Sequence, residues 1–211
     1  MEKKYRYLGY VLLLLIPLVY FGFYYTYFIK FPSFNPDIDF YDHLHAAISS
    51  TWILLLIIQP MLISRRKYDW HRKLGRFSYF LFPLMILSFL PNEIQMVQGG
   101  RTKELFYPGG DQVVLISLYV LAMLNKKHTP AHMRYMISAA LVFLGPTFGR
   151  IGYFWLSLSQ VETQTVQYGI VFFFLGGLTL YDGAPFKKSK PYFVAMVLFL
   201  LHAILFYFLF A

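Results

Sequence analysis

Residues 41–64 read YDHLHAAISSTWILLLIIQPMLIS, and this stretch decides the fold class. After Asp42 it holds no Lys, Arg, Asp or Glu. As a helix it is long enough to cross a hydrocarbon layer of about 30 Å. Only helices and closed barrels satisfy their backbone in lipid, and continuous apolar runs in place of short alternating segments select helices. The same pattern recurs along the chain. We therefore expect an all-α polytopic membrane bundle with seven transmembrane helices. The expected spans are Tyr7 to Phe28, Tyr41 to Ser64, His71 to Pro91, Asp111 to Asn125, Ala131 to Leu158, Val166 to Tyr181 and Pro191 to Phe210. Short connections predict a single transmembrane domain over residues 1–211.

Composition agrees. Charged residues make up 14% of the 211 residues, where a soluble domain carries about 25%. The cations are distributed unevenly. With the N-terminus inside, the inner side receives Lys3, Lys4, Arg6, Arg65, Arg66, Lys67, Arg72, Lys73, Arg76, Lys126, Lys127, Arg134, Lys187, Lys188 and Lys190. The outer side receives Lys30, Arg101 and Lys103, and Arg150 falls within a span. Because cytoplasmic loops retain Lys and Arg, this bias predicts an N-in, C-out topology. It also accounts for the net charge of +9 through helix ends facing an anionic leaflet. Anionic lipid headgroups at the inner face are thus the expected partner, and nucleic acid is excluded.

The first span carries Lys3, Lys4 and Arg6 ahead of its apolar run, as a signal peptide would. However, it runs through Tyr20, Phe21, Tyr24, Tyr25, Tyr27 and Phe28 without a small-x-small cleavage site, so it reads as an anchor. Cysteine is absent, which excludes disulfides, thiolate metal sites and a cysteine nucleophile. The loop Lys30 to Phe40 has two prolines and no apolar period, and is expected to pack irregularly over the bundle mouth. Gly99-Gly100 and Pro108-Gly109-Gly110 mark turns between Gln95 and Gly110. No repeat of fixed period is evident.

The second span carries a polar stripe. Turns of 3.6 residues from His45 reach Ser49, Trp52, Leu56 and Gln59 on one face. Such a stripe faces either a cavity or hydrogen-bonding helices. His43 lies about 200° round the helix from His45, so the two cannot readily share an ion. In the fifth span His132, Met136, Ala139, Phe143, Pro146, Arg150 and Tyr153 step along one face, which places Arg150 inside the bundle. An intramembrane charge needs a partner, and Glu93 or Asp111 is expected on the same side. His43, His45, Asn92, Glu93, Asp111, Arg150 and Tyr153 could then converge under the outer face. The alternative is an Arg150 ion pair that only fixes helix register.

A second group, Trp70-His71-Arg72, Leu74-Gly75-Arg76, His128, His132 and Arg134, gathers at the inner face. Its cations favour lipid phosphate over a metal ion, and Gly75 is expected to let helices approach closely. The candidate metal ligands across the chain are His43, His45, His71, His132 and His202.

HLHAAISSTWILLLIIQPMLI, WHRKLGRFSYFLFPL and HMRYMISAALVFLGPTFGRI resemble a group of uncharacterised bacterial multipass membrane proteins with a His-Arg-x-x-Gly-Arg helix start. This implies a bacterial inner membrane location. More distantly, WHRKLGR is similar to a helix start of ferric-reductase and cytochrome b561-type haem proteins, which implies b haem between histidine pairs. No second histidine follows His71 in its span, so His71 with His132, or His45 with His202, would have to serve.

The leading expectation is a membrane protein that binds a small ligand or metal in an outer-facing cavity lined by His45, Ser49, Trp52, Gln59, Asn92, Glu93, Asp111, Arg150 and Tyr153. The cofactor, a metal ion or haem, stays open, as does enzymatic activity. A b-type haem redox protein, a metal-dependent membrane hydrolase similar to ceramidases, and a proton or anion transporter are the alternatives. The final-span H-x-x-x-H of the hydrolases is missing, since His202 stands alone there.

Overall fold

The computed structural model of the protein describes residues 2–31, 38–183 and 186–211, with the backbone alone at 186–188. The described residues are helical throughout their ordered elements and contain no strand. Six segments among them are long and apolar enough to cross a bilayer. These are Lys3–Phe23, Phe40–Ser64, Tyr68–Gln98, Thr102–Leu124, Thr129–Leu156 and Ser189–Phe210. Six of the seven expected spans are therefore recovered with shifted ends. The sixth expected span forms helix Gln160–Asp182, which is 23 residues long. Its first half carries Gln160, Glu162, Thr163, Gln164, Thr165 and Gln167, which keeps it outside the apolar set.

The elements are α1 (Leu8–Leu12), α2 (Leu15–Phe23), α3 (Phe40–Ser64), α4 (Tyr68–Leu87), α5 (Leu90–Gln98), α6 (Phe106–Leu124), α7 (Thr129–Val142), α8 (Leu144–Leu156), α9 (Gln160–Asp182) and α10 (Phe186–Phe210). Three spans expected to be continuous are interrupted, and proline explains each interruption. A proline lacks the N–H that would bond the carbonyl four residues earlier, and its ring crowds that carbonyl. Pro17, Pro91 and Pro146 stand four residues after Leu13, Leu87 and Val142, where α1, α4 and α7 give out. Pro60 and Pro83 are carried inside α3 and α4. Asp39 and Asp42 form a reciprocal capping box that starts α3, and Ser159 with Glu162 does the same for α9.

The chain divides into two compact units, Met1–Thr102 and Lys103–Ala211. In the first, α3 packs on α4 and α1 packs on α3. A Cβ on Gly9 would collide with Met61 Cγ and lie 3.1 Å from Ile57 O, so glycine allows α1 to rest directly on the α3 backbone. In the second unit α10 packs on α6, α7 and α9, while α8 packs on α6, α7 and α9. Most of the expected irregular loop, residues 32–37, lies outside the described residues.

Candidate functional site

In the first unit the polar stripe of α3 is used for hydrogen bonding. The Ser88 hydroxyl donates to Met85 O at 2.6 Å, so it accepts from His45 Nδ1 at 2.8 Å. Nε2 of His45 is then the acceptor, and the Ser49 hydroxyl lies 3.4 Å from it. Each nitrogen of a neutral imidazole thus has a partner of the right kind. The histidine bridges α3 to the interruption between α4 and α5, with its ring 4.3 Å from that of Phe89. Asn92 Nδ2 donates to Asp42 Oδ1 at 3.2 Å, a second tie from α5 to the start of α3. Gln59 Nε2 donates to His71 O at 3.3 Å. Glu93 is half-buried in the first turn of α5.

Trp52 is fully buried, and its ring packs 5.0 Å from Phe82. His43 bonds Tyr27 Oη through Nδ1 at 2.9 Å. A Cβ on Gly75 would meet only Gln59 Nε2, at 3.8 Å. Gly75 therefore marks no close helix approach, contrary to expectation.

The second unit holds a polar cluster of a different kind. Asp111, near the start of α6, is half-buried, and no donor among the described residues reaches its carboxylate within hydrogen-bond distance. His202 Nε2 of α10 lies 3.9 Å from Asp111 Oδ1. The other ring nitrogen, Nδ1, pairs with Tyr168 Oη of α9 at 2.8 Å. Arg150 of α8 and Asp111 act on each other electrostatically, and the Arg150 guanidinium is steadied by donating from Nη1 to Pro146 O at 2.9 Å. Of the two acidic residues expected to face Arg150, Asp111 acts on it electrostatically.

Two glycines make the cluster possible. A Cβ on Gly110 would lie 2.5 Å from His202 Nε2. A Cβ on Gly145 would lie 2.8 Å from Asp111 Oδ2 and 3.0 Å from Gln167 Nε2. Without side chains at these positions, an imidazole, a carboxylate and an amide all reach helix backbone. Gly145 is the second residue of α8, so the carboxylate sits beside a helix N-terminus created by Pro146, where the dipole favours negative charge. Buried hydrogen-bonding capacity remains unused: Gln167 Oε1 and His202 Nε2, in residues only 2% and 6% exposed, have no hydrogen-bond partner among the described residues. An aromatic shell of Phe106, Tyr168 and Phe206 packs around His202, with the Phe106 ring 4.6 Å from the imidazole.

Several expectations are corrected here. Tyr153, expected in the outer cluster, lies one turn beyond Arg150 on α8 and is 66% exposed, while the turn at Phe143 separates both from the α7 part of the stripe. Arg134, expected among the inner cations, is fully buried, and its Nε donates to Asp182 Oδ2 at 2.6 Å. His132 bonds Ala122 O through Nδ1 at 2.9 Å. His45 and His202, like His71 and His132, fall one in each unit. Among the described residues no group of three or more His, Asp or Glu side chains is placed to hold a metal ion, so His43, His45, His71, His132 and His202 are not gathered into a metal set.

Gln167, Tyr168, Gly145 and Asp182 carry no expectation from the sequence, and Pro108-Gly109-Gly110, expected as a turn, lies within the first turns of α6. The signal for the first two was present, since Gln160, Gln164 and Gln167 recur at helical spacing ahead of an apolar run, as the stripe of α3 does. No known protein family, curated protein or solved structure matches the chain.

Proposed function

We propose that the chain is a seven-span membrane protein of a bacterial inner membrane, N-in and C-out. In this reading α9 is the remaining span and residues 103–211 hold an intramembrane site for a small polar ligand. Asp111, Gln167 and His202 form the site, and Arg150 supplies the compensating charge. The observation that carries the reading is the unused hydrogen-bonding capacity of buried Gln167 Oε1 and His202 Nε2 beside a carboxylate that receives no hydrogen bond from the described residues. Buried polar groups ordinarily find partners, and an unsatisfied one costs about 1–3 kcal/mol. A bound polar molecule would recover that cost.

The test is native mass spectrometry of the protein after mild detergent extraction, with elemental analysis of the same sample. A small polar molecule should copurify with the parent protein. Gly145→Ala, whose new methyl would occupy the space between Asp111 and Gln167, should lose it while remaining folded. Retention of the molecule by Gly145→Ala and by Asp111→Asn alike would place it elsewhere and end this reading.

Proposed contact with anionic lipid headgroups is supported by the turn between α3 and α4. Arg65, Arg66, Lys67, Arg72, Lys73 and Arg76 are all exposed there, beside exposed Tyr68 and Trp70. Lys73 lies over the Trp70 ring at 5.2 Å, an arrangement suited to a membrane interface. The His-Arg-x-x-Gly-Arg start, on which the proposed kinship with bacterial multipass proteins rests, lies in the first turns of α4.

Topology has its own test, made simple by the lack of native cysteine. Cysteines at exposed Thr102 and Ser159 should react with an impermeant reagent on intact cells. A cysteine at exposed Lys190 should react only after permeabilisation. Ser189, one residue earlier, is unsuitable because it is 2% exposed. Labelling at Lys190 in intact cells would reverse the orientation.

A further inference from the structure

The trio Tyr168, His202 and Asp111, beside Gln164 that also hydrogen-bonds Tyr168, has two tautomeric arrangements, and they differ by one proton. In the first, the Tyr168 hydroxyl donates to His202 Nδ1 across 2.8 Å. Nε2 then carries the ring hydrogen and faces an ionised Asp111 across 3.9 Å. In the second, Nδ1 carries the hydrogen and donates to Tyr168 Oη. The tyrosine hydroxyl turns to its other acceptor, His202 O, at 3.5 Å. Nε2 is now a bare lone pair, and it can face Asp111 favourably only if the carboxyl is protonated. A neutral imidazole is a donor at one nitrogen and an acceptor at the other, so these arrangements follow from its two tautomers.

We propose that this trio is a proton-binding relay, and that a proton is the species the site takes up and releases. The proposal rests on the reading of Asp111 and His202 as a ligand site and narrows the ligand. The transfer balances. A proton from water bonds to Tyr168 Oη as the hydroxyl proton leaves for Nδ1. The hydrogen on Nε2 leaves for Asp111 Oδ1, and the ring passes from one neutral tautomer to the other. One proton enters at Tyr168 and one appears on Asp111, with a net gain of one charge unit. The 3.9 Å gap between Nε2 and Oδ1 closes with about 1 Å of side-chain movement or with one bridging water.

The surroundings bear on both states. Arg150 from α8 acts on the Asp111 carboxylate, which also sits beside the first turn of α8. From α9 the Gln167 amide approaches Gly145, as Asp111 does. Tyr107 of α6 and Tyr207 of α10 are the other ionisable groups acting on Tyr168. The ionisable groups of α7, His132, Arg134 and Tyr135, lie on the turns near its start, where His132 bonds Ala122 O and Arg134 bonds Asp182. The Phe106 ring packs 4.6 Å from the imidazole, and Phe206 packs on Tyr168.

The experiment is a pH titration of the full-length detergent-extracted protein, followed by infrared absorption of protonated carboxyl and by nitrogen NMR of the His202 ring. Asp111→Asn identifies the carboxyl band. Between about pH 5 and about pH 9, the range over which shifted carboxyls and imidazoles titrate, the band should grow as pH falls. The ring should switch from the Nε2–H to the Nδ1–H tautomer at the same midpoint. Tyr168→Phe should keep the fold and abolish the coupled switch. One tautomer at every pH, or a ring and carboxyl that titrate at separate midpoints, would overturn the relay. A coupled switch in protein that carries no copurifying molecule would uphold the relay and remove the larger ligand. Copurification without the switch would do the reverse.

Discussion

Arg134→Ala is expected to be among the most destabilising single changes in the protein. Arg134 and Asp182 are both fully buried, joined at 2.6 Å, and they tie α7 to the end of α9. The guanidinium also donates from Nη1 to Pro130 O at 2.9 Å, so its fork is held at two points. Removing the arginine leaves a carboxylate uncompensated in a nonaqueous interior, and breaking such a pair costs about 3–5 kcal/mol. The reverse change, Asp182→Ala, should cost a comparable amount because it strands the cation instead. Replacing both, as Arg134→Met with Asp182→Leu, fills the volume and leaves no charge behind. Most of the loss should then return. Unfolding of the four proteins in mixed detergent would measure this. If Arg134→Ala unfolds at the parent's midpoint, the two helices are held by packing alone.

Trp52→Ala should have a comparable effect for a different reason. The indole is enclosed within the first unit against Phe82, and α3 presents Ile48, Ile53, Leu55, Leu56 and Ile57 as buried neighbours in the chain. Within a membrane, helix association depends on close packing more than on escape from water. The cavity and the lost dispersion contacts are therefore the dominant penalty, of the order of 3 kcal/mol. Trp52→Phe retains an aromatic surface for Phe82 and should lose roughly a third of that. Equal unfolding midpoints for Trp52→Ala and the parent would show that the indole is not part of the core.

The helical, membrane-spanning character was legible because it is written in composition and length, which survive any error in local detail. The polar stripe of α3 was legible too, but its role was not. His45, Ser49 and Gln59 are polar whether they serve a ligand or each other, and only the positions of Ser88 and the His71 carbonyl decide between these. Arg150 and Asp111 were identified as candidates because buried charge is rare in lipid. Arg134 was misread because a cation near a span end looks the same whether it meets headgroups or a carboxylate 48 residues later. The glycines were the least legible. Gly110 and Gly145 matter through what approaches them, and approach is a property of tertiary structure.

Two prolines share a spacing with these arginines. Pro130 precedes Arg134 and Pro146 precedes Arg150 by one turn, and each arginine donates back to the proline carbonyl. A long cationic side chain tethered in this way has fewer rotamers left to lose when it meets its carboxylate.

The interruption between α4 and α5 bears on membrane thickness. Segment Tyr68–Gln98 has 31 residues, which as one straight rod would extend to roughly 46 Å, well past a hydrocarbon slab of about 30 Å. A rigid rod of that length must tilt steeply, thicken the lipid around it or push its tip into water. A joint at Ser88–Phe89 removes the conflict, because α5, with Asn92, Glu93, Gln95 and Gln98, can bend into the headgroup layer while α4 alone spans the slab. His45 grips that joint through Ser88. The angle of the bend, and with it the lipid thickness the protein tolerates, is thereby tied to this imidazole-to-hydroxyl bond together with the Asn92–Asp42 tie.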